Sequence, residues 1–548
     1  MDVYSGDLAF LPLGGTGEIG MNLNLYRCNG KWLAVDCGIG FGGNENPEAE
    51  IMMPDPAFIA ERRDQLLALV ITHAHEDHIG AVAHLWRQLR CPVYATPFAT
   101  AVLRRKLGEA GLANEVRIHT IPSGGSFDLP PFKCEFMPVT HSIPEAQALV
   151  LRTPFGTILH TGDWKLDPNP LIGPPVDEAA FRRLGEEGVL AMVCDSTNAM
   201  VDGHSGSEAE VRTSMGELIR GIKGRIAVTC FASNVARVES IALAARDAGR
   251  HVALVGRSLR NLEAAARDCG YLRTVPEFIP EDDAGSVPDS NLLILVTGSQ
   301  GEPRSALSRI AADTHPNIAL GEGDTVVFSS RMIPGNERPI TLVQDSLVRR
   351  GVRVITDNDH MTHVSGHPAR DELRILYDWV KPKYCVPVHG EWRHMQAHAA
   401  LAKETGAEPV ILEDGDILML SPGRPEVVDS APVGRLALDG NRVVPMTGGV
   451  LAARRRMLFN GVVVGSFAVD SAGRLVGTPR VSAPGLFEPE DPEAARVTAD
   501  FAQAVRDLPA GLRADDSALA DAARSALRRA LGRKQQKRPM VDVHLLRV

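Results

Sequence analysis

Residues 70–80, "VITHAHEDHIG", place His73, His75, Asp77 and His78 within six positions, directly after an apolar run. Imidazole and carboxylate in one cluster suit a borderline divalent cation such as zinc. Read as a strand end, the run puts His73 and His75, two apart, on one side of the pleat, with Asp77 and His78 following as the chain turns into a helix. The plain alternative is a polar turn whose histidines are satisfied by hydrogen bonds. Two later residues weigh against it. His141 closes another apolar run in "PVTHS", and Asp163 lies in the loop of "ILHTGDWKLD". Each alone reads as a loop residue. Together with the first four they complete a four-plus-three arrangement in which one aspartate can bridge two ions.

Positioning such residues takes strands that end together. The N-terminal part alternates short β-rich runs with turns: "LAFLPLGG", "NLNLYRC", "KWLAVDCG", "LLALVITHAHEDH", "KCEFMPVTH", "ALVLRTP", "GTILHTGD" and "GVLAMVCDST". Polar residues gather where these runs end. "HIGAVAHLWRQL" has helical spacing, with Ala83, Leu85, Trp86 and Leu89 on an apolar face. From residue 206 the pattern becomes regular strand–helix alternation, which predicts a parallel, doubly wound sheet. Histidines return after residue 361 in "HMTHVSGHPARDEL" and "YCVPVHGEWRHM". A last unit starts near residue 450 with a hairpin-like "MLFNGVVVGSFAVDSAGRLVG", then two helices and a closing strand "PMVDVHLLRV". The expected division is 1–205, an insert over 206–360, a return segment over 361–449, and a terminal domain over 450–548.

At 548 residues and 44% hydrophobic composition, the chain can bury several cores. Its eight cysteines are scattered, with no C-x-x-C, so reduced thiols and a cytoplasmic location are expected. The first residues lack a basic start followed by an apolar core, so no signal peptide is expected. No apolar stretch reaches membrane-spanning length, and no membrane partner is expected. A net charge of −10 argues against a surface that coats nucleic acid, yet permits a nucleic-acid enzyme with a locally positive channel.

In order, Asp36 in "VDCG", "HAHEDH", His141 and "TGDW" resemble the motifs of the metallo-β-lactamase superfamily. Asp195 in "CDST", His367 in "HVSGH" and His389 in "VPVHGE" resemble those of its β-CASP branch. "GGTGEIGMN", "FASN", "TGSQGEP" and "SSRMIPGNE" are similar to the ribonuclease J family. The resemblance implies an α/β fold: an αββα metallo-β-lactamase sandwich, interrupted by a doubly wound β-CASP domain and followed by a small C-terminal α/β domain. It implies two Zn2+ per chain, replaceable by Mn2+, around a nucleophilic hydroxide. His73, His75, His141 and Asp163 would hold one ion, and Asp77, His78, Asp163 and His389 the other. Asp36 would orient a ligand histidine from behind. Asp77, Asp195 and His367 form the implied catalytic set. His367 is either the general acid for the departing 3′ oxygen or a phosphate hydrogen-bond donor, and Asp195 places it or the substrate. Glu76 alternates away from His75 and reads as solvent-facing or structural.

Two small-residue loops complete the implied site. Phe231, Ala232 and Ser233 precede a helix starting near Asn234, and His363, Val364, Ser365, Gly366 and His367 precede a helix read as starting at Pro368. In isolation such loops read as ordinary caps. The resemblance implies that they face each other and hold single-stranded RNA, including its 5′ phosphate. In β-CASP relatives histidine at the position of His389 goes with RNA substrates. Arg528, Arg529, Arg533, Lys534, Lys537 and Arg538 form a basic cluster, read as a solvated helix end that complements the dipole rather than as an RNA-binding tail. The terminal domain is implied in assembly, as a homodimer or homotetramer, with an RNA-degradation complex as a further partner. The expected activity is 5′-to-3′ exonuclease, preferring 5′-monophosphate RNA, plus endonuclease, in RNA maturation and decay. Competing readings are a β-CASP nuclease acting on DNA, a small-molecule ester or thioester hydrolase, and a non-catalytic scaffold. His389 disfavours the first. An insert between Asp195 and His363, far beyond ordinary loop lengths, disfavours the second. Filled metal positions disfavour the third.

Overall fold

The computed structural model describes residues 7–42, 46–333, 336–488, 490–532 and 537–548. Pro334 and Gly335 of "SSRMIPGNE", and Arg533 and Lys534 of the basic cluster, lie outside the described residues. The chain divides into two compact units, Met1–Glu45 with Ile51–Leu436, and Asn46–Glu50 with Ala437–Val548.

In the first unit, two sheets share one core. The eight-stranded sheet includes Leu8–Gly14, Leu23–Cys28, Lys31–Val35 and Leu66–Val70; the seven-stranded sheet includes Phe132–Pro138, Gln147–Thr153, Gly156–His160, Ala191–Asp195 and Tyr384–Val388. Period-two burial explains the stacking. Leu8 and Phe10, Leu33 and Val35, and Ala68 and Val70 from one sheet join Phe132, Cys134 and Phe136, Leu149 and Leu151, and Val386 and Val388 from the other. The alternate residues of the second sheet, such as Val150, Met192, Cys194 and Cys385, pack with the helices Glu178–Glu187, Arg370–Val380 and Trp392–Glu404. Both faces are buried, so these strands read in sequence as continuous apolar runs. The layered sandwich is the expected one.

One pairing matters most for the site. Ala191–Asp195 runs parallel to Tyr384–Val388, with Asp195 opposite Val388. The chain therefore leaves the sandwich after Asp195 and returns as the neighbouring strand, which brings His389 beside Asp195. The excursion between them carries a five-stranded parallel sheet in the order His251–Val255, Leu292–Val296, Ile226–Thr229, Thr325–Phe328, Arg353–Ile355. Its first strand in the chain is central. The connection leaving that strand runs back across the sheet, and every later one runs the other way. Such a reversal opens a crevice beyond the C-terminal end of the central strand, and Phe231–Ser233 follow Thr229 there.

Two local expectations are corrected. Pro368 is not the first helical residue: the helix is Arg370–Val380, and Ala369 is its N-cap. Glu372 takes the Ala369 amide at 2.8 Å, so this helix start is closed by its own side chain. "MLFN" does not open a hairpin. It ends the helix Gly449–Asn460, and the hairpin proper is Val462–Val469 with Leu475–Ser482. In this second unit Met540–Arg547 pairs in parallel with Val462–Val469, over the helices Pro492–Arg506 and Asp516–Leu531. Arg528 and Arg529 lie in the last turn of the latter helix, where cations complement the dipole. No helix among the described residues is long and apolar enough to cross a membrane.

The loop after the first strand is tied to the returning strand. Gly15 O accepts from His389 N at 2.6 Å, and Thr16–Gly17 pairs with Gly390–Glu391. Thr16 N donates to Asp414 Oδ1 at 3.1 Å. Burial, followed by the nearby Glu18 carboxylate, pushes the Asp414 carboxyl up to about 8. A raised folded-state value means that the folded chain holds this proton more tightly than the unfolded one. The resulting stability is full below the ordinary aspartate value and is lost as pH rises through about 8. Thermal midpoints of the wild type should therefore fall across that window more steeply than those of Asp414→Asn. Parallel curves would show that Asp414 ionises freely.

Candidate metal centre

Loops from four strand ends converge. The strand Leu66–Val70 stops short of the first histidines, so they are not on one side of a strand end as the spacing suggests. His73 and His75 sit in the loop, and His75 is the N-cap of the short helix Glu76–Ile79. Asp36 shapes that loop: its Oδ1 accepts from Thr72 N at 2.8 Å and its Oδ2 from Thr72 Oγ1 at 2.9 Å.

Two groups of side chains result, His73, His75, His141 and Asp163, and Asp77, His78, Asp163 and His389. Asp163 belongs to both. In the first, His75 Nδ1 lies 3.1 Å from His73 Nε2 and 3.0 Å from His141 Nε2. In the second, His389 Nε2 is 3.1 Å from Asp77 Oδ2, and His78 Nε2 is 3.2 Å from Asp163 Oδ2. A third group, Asp163, Asp195, His367 and His389, adjoins them. Glu76 points away and pairs with Lys106 at the surface.

The outward ring nitrogens reveal the proton positions. His141 Nδ1 is 2.5 Å from Gly366 O, and a carbonyl can only accept, so the proton is on Nδ1 and the Nε2 lone pair faces the cluster. His78 Nδ1 likewise donates to Asp36 Oδ2 at 2.8 Å. Thr72 Oγ1 gives its own proton to Asp36, so it accepts from His73 Nδ1 at 3.0 Å. Thr197 Oγ1 donates to His389 O at 3.1 Å and accepts from His389 Nδ1 at 2.9 Å. Burial pushes His75 down to about 4 and holds His73 and His141 well below the ordinary histidine value, so these rings are neutral. With their protons turned outward, His73 Nε2 and His141 Nε2 both aim lone pairs at His75 Nδ1, 3.1 and 3.0 Å away, and one ring proton cannot fully serve both, whereas a cation among the three can. The residues fit a divalent metal, and four of the five rings are held from behind as metal-ligating histidines are.

His367 differs. Its Nδ1 is 2.8 Å from Asp195 Oδ2. Burial opposes its charge, but the Asp195 and Asp163 carboxylates outweigh burial and raise its pKa. Ser365 Oγ accepts from Asn198 Nδ2 at 2.7 Å and from His367 N at 3.1 Å, which leaves its hydrogen to donate elsewhere. Val364 packs against Gly206. His363 is half-buried, and its buried Nδ1 has no hydrogen-bond partner among the described residues. Asn234, rather than Ser233, caps the helix Val235–Asp247. Thr72, Thr197 and Asn198 escaped the sequence reading. A hydroxyl or amide beside a motif has a local hydrogen-bonding use anywhere, so no pattern singled them out.

An αββα sandwich opened by a doubly wound insert, with imidazoles and carboxylates at the junction, defines a metallo-hydrolase of the β-CASP branch. Comparison with known families agrees. Residues 31–207 match the β-lactamase superfamily domain, 223–347 the ribonuclease J β-CASP domain, 351–412 the Zn-dependent metallo-hydrolase RNA specificity domain, and 449–548 the ribonuclease J C-terminal domain. Ribonuclease J of Sinorhizobium meliloti is 45% identical over 99% of this chain and 98% of its own, and that of Mycolicibacterium smegmatis 39% identical over 98% and 96%. A crystal structure of an Enterococcus faecalis protein of unknown function shares the fold, at a TM-score of 0.51 and 16% identity, covering 76% of this chain and all of that one. The chain belongs to the ribonuclease J family. It is a metal-dependent ribonuclease.

Gly38 tests how tightly the turn of Asp77 and His78 is seated. A Cβ there would lie 1.6 Å from Asp77 O and 2.7 Å from His78 N, both backbone atoms. Gly38→Ala should therefore lower both metal content and the thermal midpoint. Gly216→Ala, in open space on the helix Glu208–Gly221, should leave both at or above wild type. Full metal loading in Gly38→Ala would contradict the packing described.

Proposed function

We propose that this chain degrades and matures RNA by two modes, 5′-to-3′ exonuclease action preferring 5′-monophosphate ends, and internal cleavage, using two zinc ions. One observation carries this reading: two convergent sets of ring nitrogens and carboxylates share Asp163 and adjoin a His367–Asp195 pair. When bound, two such ions supply a hydroxide at neutral pH and offset charge on the phosphate. His73, His75, His141 and Asp163 hold one, and Asp77, His78, Asp163 and His389 the other. Asp36 fixes His78 directly and His73 through Thr72. His367 is the general acid, its proton retained by Asp195. Ser233 and the His363–His367 loop hold the terminal phosphate. We further read residues 1–205 and 361–449 as the sandwich domain, 206–360 as the insert and 450–548 as an assembly domain of a cytoplasmic homodimer or homotetramer.

Metal and proton roles separate in one comparison. The wild type should carry about two ions per chain. His75→Ala should lose metal and cleavage together. His367→Ala should keep its metal while kcat falls by ~100-fold or more, the scale for losing a general acid. A rise in KM alone would make His367 a phosphate ligand instead.

End preference is a second test. A pocket with donors for one phosphate has no room for a triphosphate, and a hydroxyl end leaves those donors unpaired at a cost of ~1–3 kcal/mol. Exonuclease rates should rank 5′-monophosphate above both other ends, and Ser233→Ala should shrink that preference while sparing internal cleavage. Equal rates on all three ends would sink the pocket.

A further inference from the structure

A second set of buried polar groups closes a ring behind the candidate site. Thr140 precedes His141, and its Oγ1 accepts from Asp167 N at 3.1 Å. The Asp167 carboxylate accepts from Ser207 Oγ at 2.7 Å and from Glu208 N at 2.9 Å. Glu208 takes Arg237 Nε at 3.0 Å and Nη2 at 2.8 Å on its two oxygens. Arg237 Nη1 then donates to Ser329 Oγ at 2.7 Å, Ser329 O at 3.1 Å and Thr362 O at 2.8 Å. Thr362 opens the segment that ends at Gly366, whose carbonyl returns to His141. Arg237 and Thr362 are 0% exposed and Glu208 4%.

Stability alone does not account for this pair. A buried Arg–Glu pair can often be replaced by apolar residues of similar volume without loss of stability, because desolvation offsets the attraction. What the guanidinium adds is direction. Its planar fork meets a carboxylate on one side and, on the other, two carbonyls and a hydroxyl from separate segments.

We propose that Arg237, seated by Glu208, is a positioning residue: it fixes the start of the His363–His367 loop, and so sets where a 5′-terminal phosphate is held relative to His141. This rests on the reading of that loop as the phosphate-holding element. Arg237 touches neither substrate nor metal in this role.

The test compares holoenzymes of four kinds: wild type, Arg237→Lys, the charge-neutral double variant Arg237→Met/Glu208→Gln, and Ser365→Ala. Each is assayed for metal content and for Kd toward an uncleavable 2′-O-methyl oligonucleotide with a 5′-monophosphate or a 5′-hydroxyl. Lysine keeps the buried charge but cannot span Glu208, Ser329 and Thr362 together. Both Arg237 variants should keep their metal while the ratio of the two Kd values falls by about 10-fold, the scale of a displaced binding group. Should the double variant not fold, Arg237→Lys decides. A preserved ratio in the Arg237 variants, with a collapsed one in Ser365→Ala, overturns the role of Arg237 and leaves the loop reading intact. A preserved ratio in Ser365→Ala overturns the loop reading, and the proposal with it.

Discussion

Asp36 is a carboxylate with no solvent exposure, held in a left-handed backbone conformation with φ of 63°. A buried charge of that kind is tolerated only when its oxygens are filled by donors. Thr72 N, Thr72 Oγ1 and His78 Nδ1 fill them. Satisfying this one group dictates the proton on His78 directly and the proton on His73 through the threonine hydroxyl. Two rings, one from each candidate metal group, are thereby turned lone pair inward by a single residue that follows the strand Lys31–Val35. Gly38 completes the arrangement by letting the Asp77 carbonyl approach where any side chain would collide.

Two further rings are oriented by the topology of the insertion. His389 is fixed because its strand returns in register beside Ala191–Asp195, where Thr197 meets its outward nitrogen. His141 is fixed by a carbonyl from the loop that leads back out of the insert. The excursion between the two neighbouring strands thus reaches back to the candidate metal centre. His141 takes its tautomer from a segment that belongs to the excursion.

Sequence showed the elements and the chemistry unevenly, and for physical reasons. The histidines and aspartates stood out because clustered imidazoles and carboxylates have few bland uses. Parallel strands of the insert were legible because each apolar run ends in small residues before a helix. The loop conformation of His73 and His75 was not, since strand periodicity and an extended loop place side chains alike over two residues. Pro368 misled because proline favours both the first helical turn and the extended residues just before it. Here Glu372 caps Ala369, and the proline falls outside. "MLFN" carried apolar residues suited to a strand, but Gly461, with φ of 74°, ends the helix after it. Arg237 was invisible in sequence: an arginine one turn into a helix reads as a surface residue until the fold removes its solvent.

The closed path from His141 through Asp167, Glu208, Arg237 and Thr362 to Gly366 has a mechanical consequence. Its polar groups Thr140, Asp167, Ser207, Glu208, Arg237, Ser329 and Thr362 are buried and hydrogen-bonded to one another, and fully satisfied buried networks rigidify a structure. Two links in this path cross from the insert to the sandwich, Glu208 N to Asp167 and Arg237 Nη1 to Thr362 O. Any opening of this junction must break one of these contacts or hinge elsewhere. Loss of the Gly366 contact would free the His141 ring to turn, and so disturb the candidate metal group. The geometry therefore favours a fixed junction.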